Sequence, residues 1–233
     1  MAQRTLSAQL RPVLGPLSLL TSSIGLKAIM AVTGLALAGF LVTHTSSNLA
    51  IFSGREVYNA YPAFLRSLGS ALWIARLGLL GAVSLHIFAA FKLTAENNKA
   101  RDRRYAVQQS AATNYAARTM AVSGPILLLF LIYHLLHLTF GFTAGDYEHS
   151  HTDIYSNLVH GFQVPVVAWF YAFANLLLGL HLFHGLWSMF QTLGLNHPSY
   201  NPLMRGVAIV LTLYIAGGNI LMPLAVLSGA VVL

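Results

Sequence analysis

Five stretches of the chain run almost without charged residues, over about 24–52, 71–96, 116–143, 159–192 and 203–230, and polar residues gather between them. About 20 helical residues at ~1.5 Å each cross a ~30 Å hydrocarbon core, so each stretch predicts a membrane-spanning helix. The first and fourth exceed that length, which predicts tilt or protruding ends. The pattern therefore predicts an all-α membrane protein with five transmembrane helices, a single integral membrane domain over 1–233. Residues 1–22, with Pro12 and Pro16, form a cytoplasmic or interfacial segment ahead of the first span.

Inside this pattern a unit repeats. Met30-Ala-Val-Thr-Gly34 returns 90 residues later as Met120-Ala-Val-Ser-Gly124, and each copy is followed ten residues on by a histidine, His44 and His134. Downstream of each copy, Leu85-His86-Ile87-Phe88 is matched by Leu180-His181-Leu182-Phe183. The chain reads as a parallel duplicated two-helix unit, forming a four-helix bundle, plus a fifth helix. One histidine per helix gives four, the number that two six-coordinate haems require.

Composition supports the membrane reading: 56% of residues are hydrophobic and 8% charged, too few to cover a soluble domain. The net charge of +7 falls at helix ends, not in an aromatic-interleaved patch, so it reads as anchoring and not as nucleic-acid binding. Arg4, Arg11 and Lys27 precede the first helix; Lys99, Arg101, Arg103 and Arg104 lie between the second and third, with Arg118 just beyond. Asp146, Glu148 and Asp153 follow the third helix without Lys or Arg. The positive-inside rule then places the amino terminus in the cytoplasm and the carboxyl terminus outside, in the inner (cytoplasmic) membrane, with Arg55 and Arg66 opposing the bias slightly. No cleavable signal peptide is evident. The absence of cysteine removes iron–sulfur clusters, disulfides and covalently attached haem from the chain itself.

Helical geometry selects among ten histidines. Residues 4, 7, 11 and 14 positions earlier share a histidine's face. Before His44 these are Phe40, Leu37, Thr33 and Met30; before His134, Phe130, Leu127, Ser123 and Met120. An apolar stripe with one hydroxyl suits a haem lining, and also suits ordinary helix packing. His137 and His184 are rivals, each three residues beyond a favoured ligand; His149, His151, His160 and His197 fall in or beside loops. Depth then pairs the ligands. The first and third helices run outward and carry His44 and His134 near their outer ends, while the second and fourth run inward and carry His86 and His181 in the cytoplasmic half. Equal depth joins His44 with His134 at an outer haem and His86 with His181 at an inner one. The second ring nitrogen of each ligand is expected to donate to a carbonyl one turn back, from Phe40, Ala82, Phe130 or Leu177. Thr33 and Ser123, ~16 Å along the helix from the outer ligands, reach the inner haem's level, to touch that haem or to bond their own helix's carbonyls. Lys27, Arg118, Lys92 and His184 are further candidates for haem contacts.

His44 followed by Asn48, the run His86-Ile-Phe-Ala-Ala-Phe-Lys-Leu-Thr-Ala-Glu-Asn-Asn98, Ile132-Tyr-His134, and His181-Leu-Phe-His-Gly-Leu-Trp-Ser188 continuing to Gln191-Thr-Leu-Gly-Leu-Asn-His197 resemble the cytochrome b membrane subunit of succinate dehydrogenase and fumarate reductase, of the single-subunit, five-helix, two-haem type. The resemblance implies two haem b groups, ligated by His44, His86, His134 and His181. It implies a flavoprotein partner with FAD, an iron–sulfur partner with three clusters, membrane lipid around the spans, and a quinone, usually menaquinone. The complex is open to higher oligomerisation, and its succinate-converting site lies on another subunit. Two features depart from the family: Gly179 stands where some relatives carry a glutamate, and Glu56, Tyr58, Tyr61 and Arg66 offer no matching quinone motif. Two other functions fit the same pattern: a dihaem subunit of a formate dehydrogenase, hydrogenase or nitrate reductase, or a transporter with histidine proton relays.

Overall fold

The computed structural model describes residues 22–99, 115–142 and 147–233, with side chains for all of these except 115–119 and 121. Every regular element among them is helical. Helix α1 (Ser23–Leu49) begins where the Ser22 hydroxyl accepts the Gly25 N–H at 3.1 Å, satisfying one of the free donors of the first turn. A 3₁₀ turn, Ala50–Ser53, extends it to Gly54, whose φ of 94° lets the chain reverse without strain. There follow α2 (Arg55–Ser67), α3 (Ser70–Lys99), α4 (Tyr115–His134) with a π-helical turn at Leu135–Thr139, α5 (Ile154–Gln163), α6 (Pro165–Thr192) and α7 (Asn201–Leu227).

Five of these segments are long and apolar enough to cross a membrane: Ser23–Ser53, Ser70–Lys99, Val122–Thr139, Pro165–Thr192 and Asn201–Leu227. Large apolar side chains such as Ile74, Leu77, Leu129, Val166 and Leu213 point outward, each more than 60% exposed, as a lipid-facing surface requires. The chain is an all-α, multi-pass membrane protein.

Two elements differ from the apolar pattern. The fourth stretch is not one helix: Pro165 has no N–H to donate and holds Val164 in an extended conformation (φ −81°, ψ 110°), so α5 stops at Gln163 and the span starts afresh at Pro165. The connection after the first span also folds, as α2, with Glu56 in its first turn and Arg66 in its last complementing the helix dipole. One buried tyrosine, Tyr58, holds α2 to the bundle.

Helix α6 is central, packing on α7, α4 and α1; α1 also packs on α3 and α7, and α3 rests mainly on α1. Small residues set these approaches. A Cβ on Gly179 would lie 3.1 Å from the Ala216 Cβ, and one on Gly218 would lie 2.9 Å from the Thr45 Cγ2. A side chain at 179 would therefore need the Ala216 contact to give by a few tenths of an ångström. Beside Gly218, Asn219 donates from Nδ2 to the buried Thr45 hydroxyl at 3.0 Å.

The largest core cluster, including Ile51, Tyr58, Tyr155, Phe162, Tyr171 and Met222, lies at the end of the bundle where α1 meets α2 and α5. At the opposite end the core thins to Leu26, Ala89 and Leu93. The α2/α5 end is closed by Asp153, which pairs with Arg55, accepts from Asn59 Nδ2 at 2.8 Å and caps α5 through the Ser156 N–H at 3.3 Å. Tyr155 donates to the Val232 carbonyl at 2.6 Å, tying the chain's last residues to the same cap.

Candidate functional site

The four repeated histidines meet in two pairs, each joining helices that have no extensive contact with one another. His44 of α1 and His134, the last residue of α4, bring their ring centroids to 5.9 Å with an interplanar angle of 84°. His86 of α3 and His181 of α6 lie 6.4 Å apart at 59°. These are the partners that equal depth assigns. Among the described residues no group of three or more His, Cys, Asp or Glu is arranged to hold a metal ion.

The first pair to consider lies toward the start of α1. The Thr33 hydroxyl is 2.6 Å from the Ile29 carbonyl and 3.2 Å from the His86 Nδ1. Its single proton goes to the nearer carbonyl, so the ring nitrogen donates to the hydroxyl oxygen. Nδ1 then carries the proton and Nε2 keeps its lone pair. Ser123, the repeat equivalent of Thr33, lies 3.4 Å from the His181 Nδ1 and 3.5 Å from the Met120 carbonyl, a looser version of the same arrangement. Gly34 makes the approach possible: a Cβ there would sit 3.3 Å from the His86 Cε1. The hydroxyls thus bond both a carbonyl of their own helix and a histidine. In this pair the hydroxyls, joined at His86 by the Met30 carbonyl, stand where the Ala82 and Leu177 carbonyls are expected.

The other pair sits against the larger core. Phe40 stacks on His44 at 5.2 Å, and Phe130 and Tyr171 each place a ring 5.9 Å from His134. Asn48 Nδ2 lies 3.1 Å from the His44 Nε2, while its Oδ1 accepts from the Tyr58 hydroxyl at 3.1 Å. Burial pushes the Tyr58 phenol up, so it stays protonated and donates. The His134 Nδ1 is buried and has no hydrogen-bond partner.

The remaining histidines are held otherwise. His137 is 1% exposed, with Nδ1 3.0 Å from the Tyr171 hydroxyl and its ring against Gly161, where a Cβ would approach to 2.8 Å. Occurring within the π-helical turn, it faces the core rather than His44. His149 places its Nε2 3.1 Å from the Asn157 Nδ2 and 3.3 Å from the Leu138 carbonyl, bonding one or the other according to its tautomer, and His160 stacks on Tyr147, all within the cap. His197 stacks on Tyr200 at the far end of α6. His184 is half-buried one turn beyond His181, and Lys27 is exposed. The Arg118 side chain, Arg4, Arg11, Arg101, Arg103, Arg104 and Asp146 lie outside the described residues. Asn48 and Tyr171 stand beside the His44–His134 pair without belonging to the repeat. Asn48 shares His44's helix face one turn on, a spacing visible in the sequence; Tyr171 has no such signal.

Asp153 fixes the lid over this pair. Burial pushes its carboxyl up, but hydrogen bonds from Arg55, Ser156 and Asn59 outweigh that and hold it well below the usual carboxylate range. No protein-family model, no curated protein and no solved structure matches the chain.

Proposed function

We propose that the chain is the haem b-carrying membrane anchor of a succinate:quinone oxidoreductase, joining an iron–sulfur subunit to the membrane quinone pool. The observation that carries this reading is the spacing of the two histidine pairs, 5.9 and 6.4 Å between centroids. Two imidazoles facing each other across one metal ion, at bond lengths of about 2.0–2.1 Å, put their centroids about 6.4 Å apart. A haem would bring its other ligands with it, so two imidazoles would suffice to hold it.

Further features of the chain fit the group. The partnerless His134 Nδ1 is a buried nitrogen that a ligand would satisfy. The half-buried Gly124 and Gly185 border open space, where an added Cβ would touch nothing. His44 and His134 would hold the outer haem, His86 and His181 the inner. Thr33 contacts His86 and lies 11 residues before His44, so the two pairs stand ~16 Å apart along α1. A haem held between two histidines would supply one-electron transfer and not oxygen chemistry. Asn48 Nδ2 faces the His44 Nε2 and would have to yield to a haem held at that nitrogen. Lys27, Arg118 and His184 are the proposed propionate contacts.

In this reading the flavoprotein with FAD and the iron–sulfur subunit dock on the cytoplasmic side, where the Lys and Arg residues gather, and the amino terminus faces them. The carboxyl terminus lies outside, and menaquinone is the proposed acceptor or donor. The test is purification of the chain with its partners from haem-replete membranes. Two haem b per chain by pyridine haemochrome and succinate-dependent quinone reduction are expected; a fully assembled preparation without haem bands contradicts the reading.

A further inference from the structure

The duplicated Met-Ala-Val-Thr/Ser-Gly unit places one hydroxyl against one ring nitrogen in each half of the molecule. Thr33 is 8% exposed and Ser123 1%, so no bulk water competes for these contacts. In the first half a chain of bonds runs from the His86 ring N–H to the Thr33 hydroxyl oxygen and from the hydroxyl proton to the Ile29 carbonyl; in the second, the Ser123 hydroxyl lies 3.4 Å from the His181 Nδ1 and 3.5 Å from the Met120 carbonyl. A ring that donates from Nδ1 is fixed in one tautomer, and its Nε2 becomes the more electron-rich. The outer pair uses a different device. Asn48 presents an N–H to the His44 Nε2, and no hydroxyl reaches His134.

We infer that Thr33 and Ser123 are positioning residues that set the tautomer of His86 and His181 and thereby tune the redox poise of the inner site alone. The poise part of the inference rests on the haem reading; the tautomer part does not. A more electron-rich ligand favours the oxidised metal, so removing the hydroxyl raises the inner couple's potential. Thr33→Val keeps the β-branched shape and deletes the hydroxyl; Thr33→Ser restores it. Ser123→Ala acts in the same direction and less strongly, because its contact is longer.

The experiment uses the full chain in lipid nanodiscs with ¹⁵N-histidine, prepared with and without haem supply. In the haem-free sample, His86, assigned by its loss in His86→Gln, is expected as the Nδ1–H tautomer, turning to a mixture in Thr33→Val and returning in Thr33→Ser. In the haem-loaded sample, Thr33→Val is expected to raise the inner couple's reduced-to-oxidised ratio about tenfold at fixed poise, about 59 mV for a one-electron couple, with the outer couple unmoved. An unchanged tautomer and ratio in Thr33→Val overturn the inference. So does a change that Thr33→Ser fails to reverse, or an equal shift of both couples, since either marks a packing effect. A wild-type chain that takes up no haem contradicts the proposed function, while the nitrogen signals of the same protein still decide the hydroxyl contact.

Discussion

The two histidine pairs, His44 with His134 and His86 with His181, the proposed outer and inner sites, come from one duplicated unit and are supported in opposite ways. The outer pair stands against the main core, walled by Phe40, Phe130 and Tyr171, and closed by a cap in which Asp153 joins α2 to α5. The inner pair lies toward the thin end of the bundle, where α3 has one main neighbour; His86 is steadied by the Thr33 hydroxyl and the Met30 carbonyl, His181 by the Ser123 hydroxyl. Repetition thus supplies matching ring positions, and the surroundings decide how each ring is held. A buried aromatic cage fixes a ring by exclusion; a hydroxyl fixes it by direction.

That contrast predicts that damage at the outer end stays there. His137→Ala removes a buried ring and leaves the Tyr171 hydroxyl without its partner, so it should cost about 3 kcal/mol in thermal or denaturant unfolding. On the proposed haem reading, folded His137→Ala protein should keep two haems; loss of the outer one would make His137 a ligand and break the pairing. Tyr58→Phe is milder. It deletes one hydrogen bond to Asn48, worth about 1 kcal/mol, and should shift the outer couple in a redox titration without moving the inner one. A shift of the inner couple by Tyr58→Phe would show that the two ends are not independent.

The smallest expected effect concerns the cap. Asp153 has a folded-state pKa below its ordinary 3.8, so its contribution is fully present above that value and is lost as pH falls below it. Asp153→Asn should therefore flatten the acid limb of the melting temperature below about pH 4 and change little at pH 7. The pairing with exposed Arg55 is screened by solvent, so salt should mimic the variant in part. An inner haem whose loss follows the same acid limb would contradict the separation of the two ends.

The spans were legible in the sequence because lipid imposes one rule throughout: long apolar runs must be helical. Pairing His44 with His134 and His86 with His181 was legible because parallel repeats put equivalent residues at equal depth. What escaped depends on contacts between distant residues. Helix α2 is held by Tyr58 against Tyr155 and by Asn59 against the start of α5, partners about 95 positions apart. The break at Val164 had a local signal in Pro165, masked by the surrounding hydrophobicity. Thr33 and Ser123 were placed at the right level by helical rise, but that they meet histidines follows from how closely α1 and α3, and α4 and α6, approach.

The pairing itself is tested most directly by counting haems, with pyridine haemochrome and resolved redox titration, in four single variants. His44→Ala and His134→Ala should each lose the same outer haem and retain the inner couple; His86→Ala and His181→Ala should each do the reverse. Loss of one couple by His44→Ala together with His86→Ala, or four variants that leave the spectrum unchanged, would contradict it.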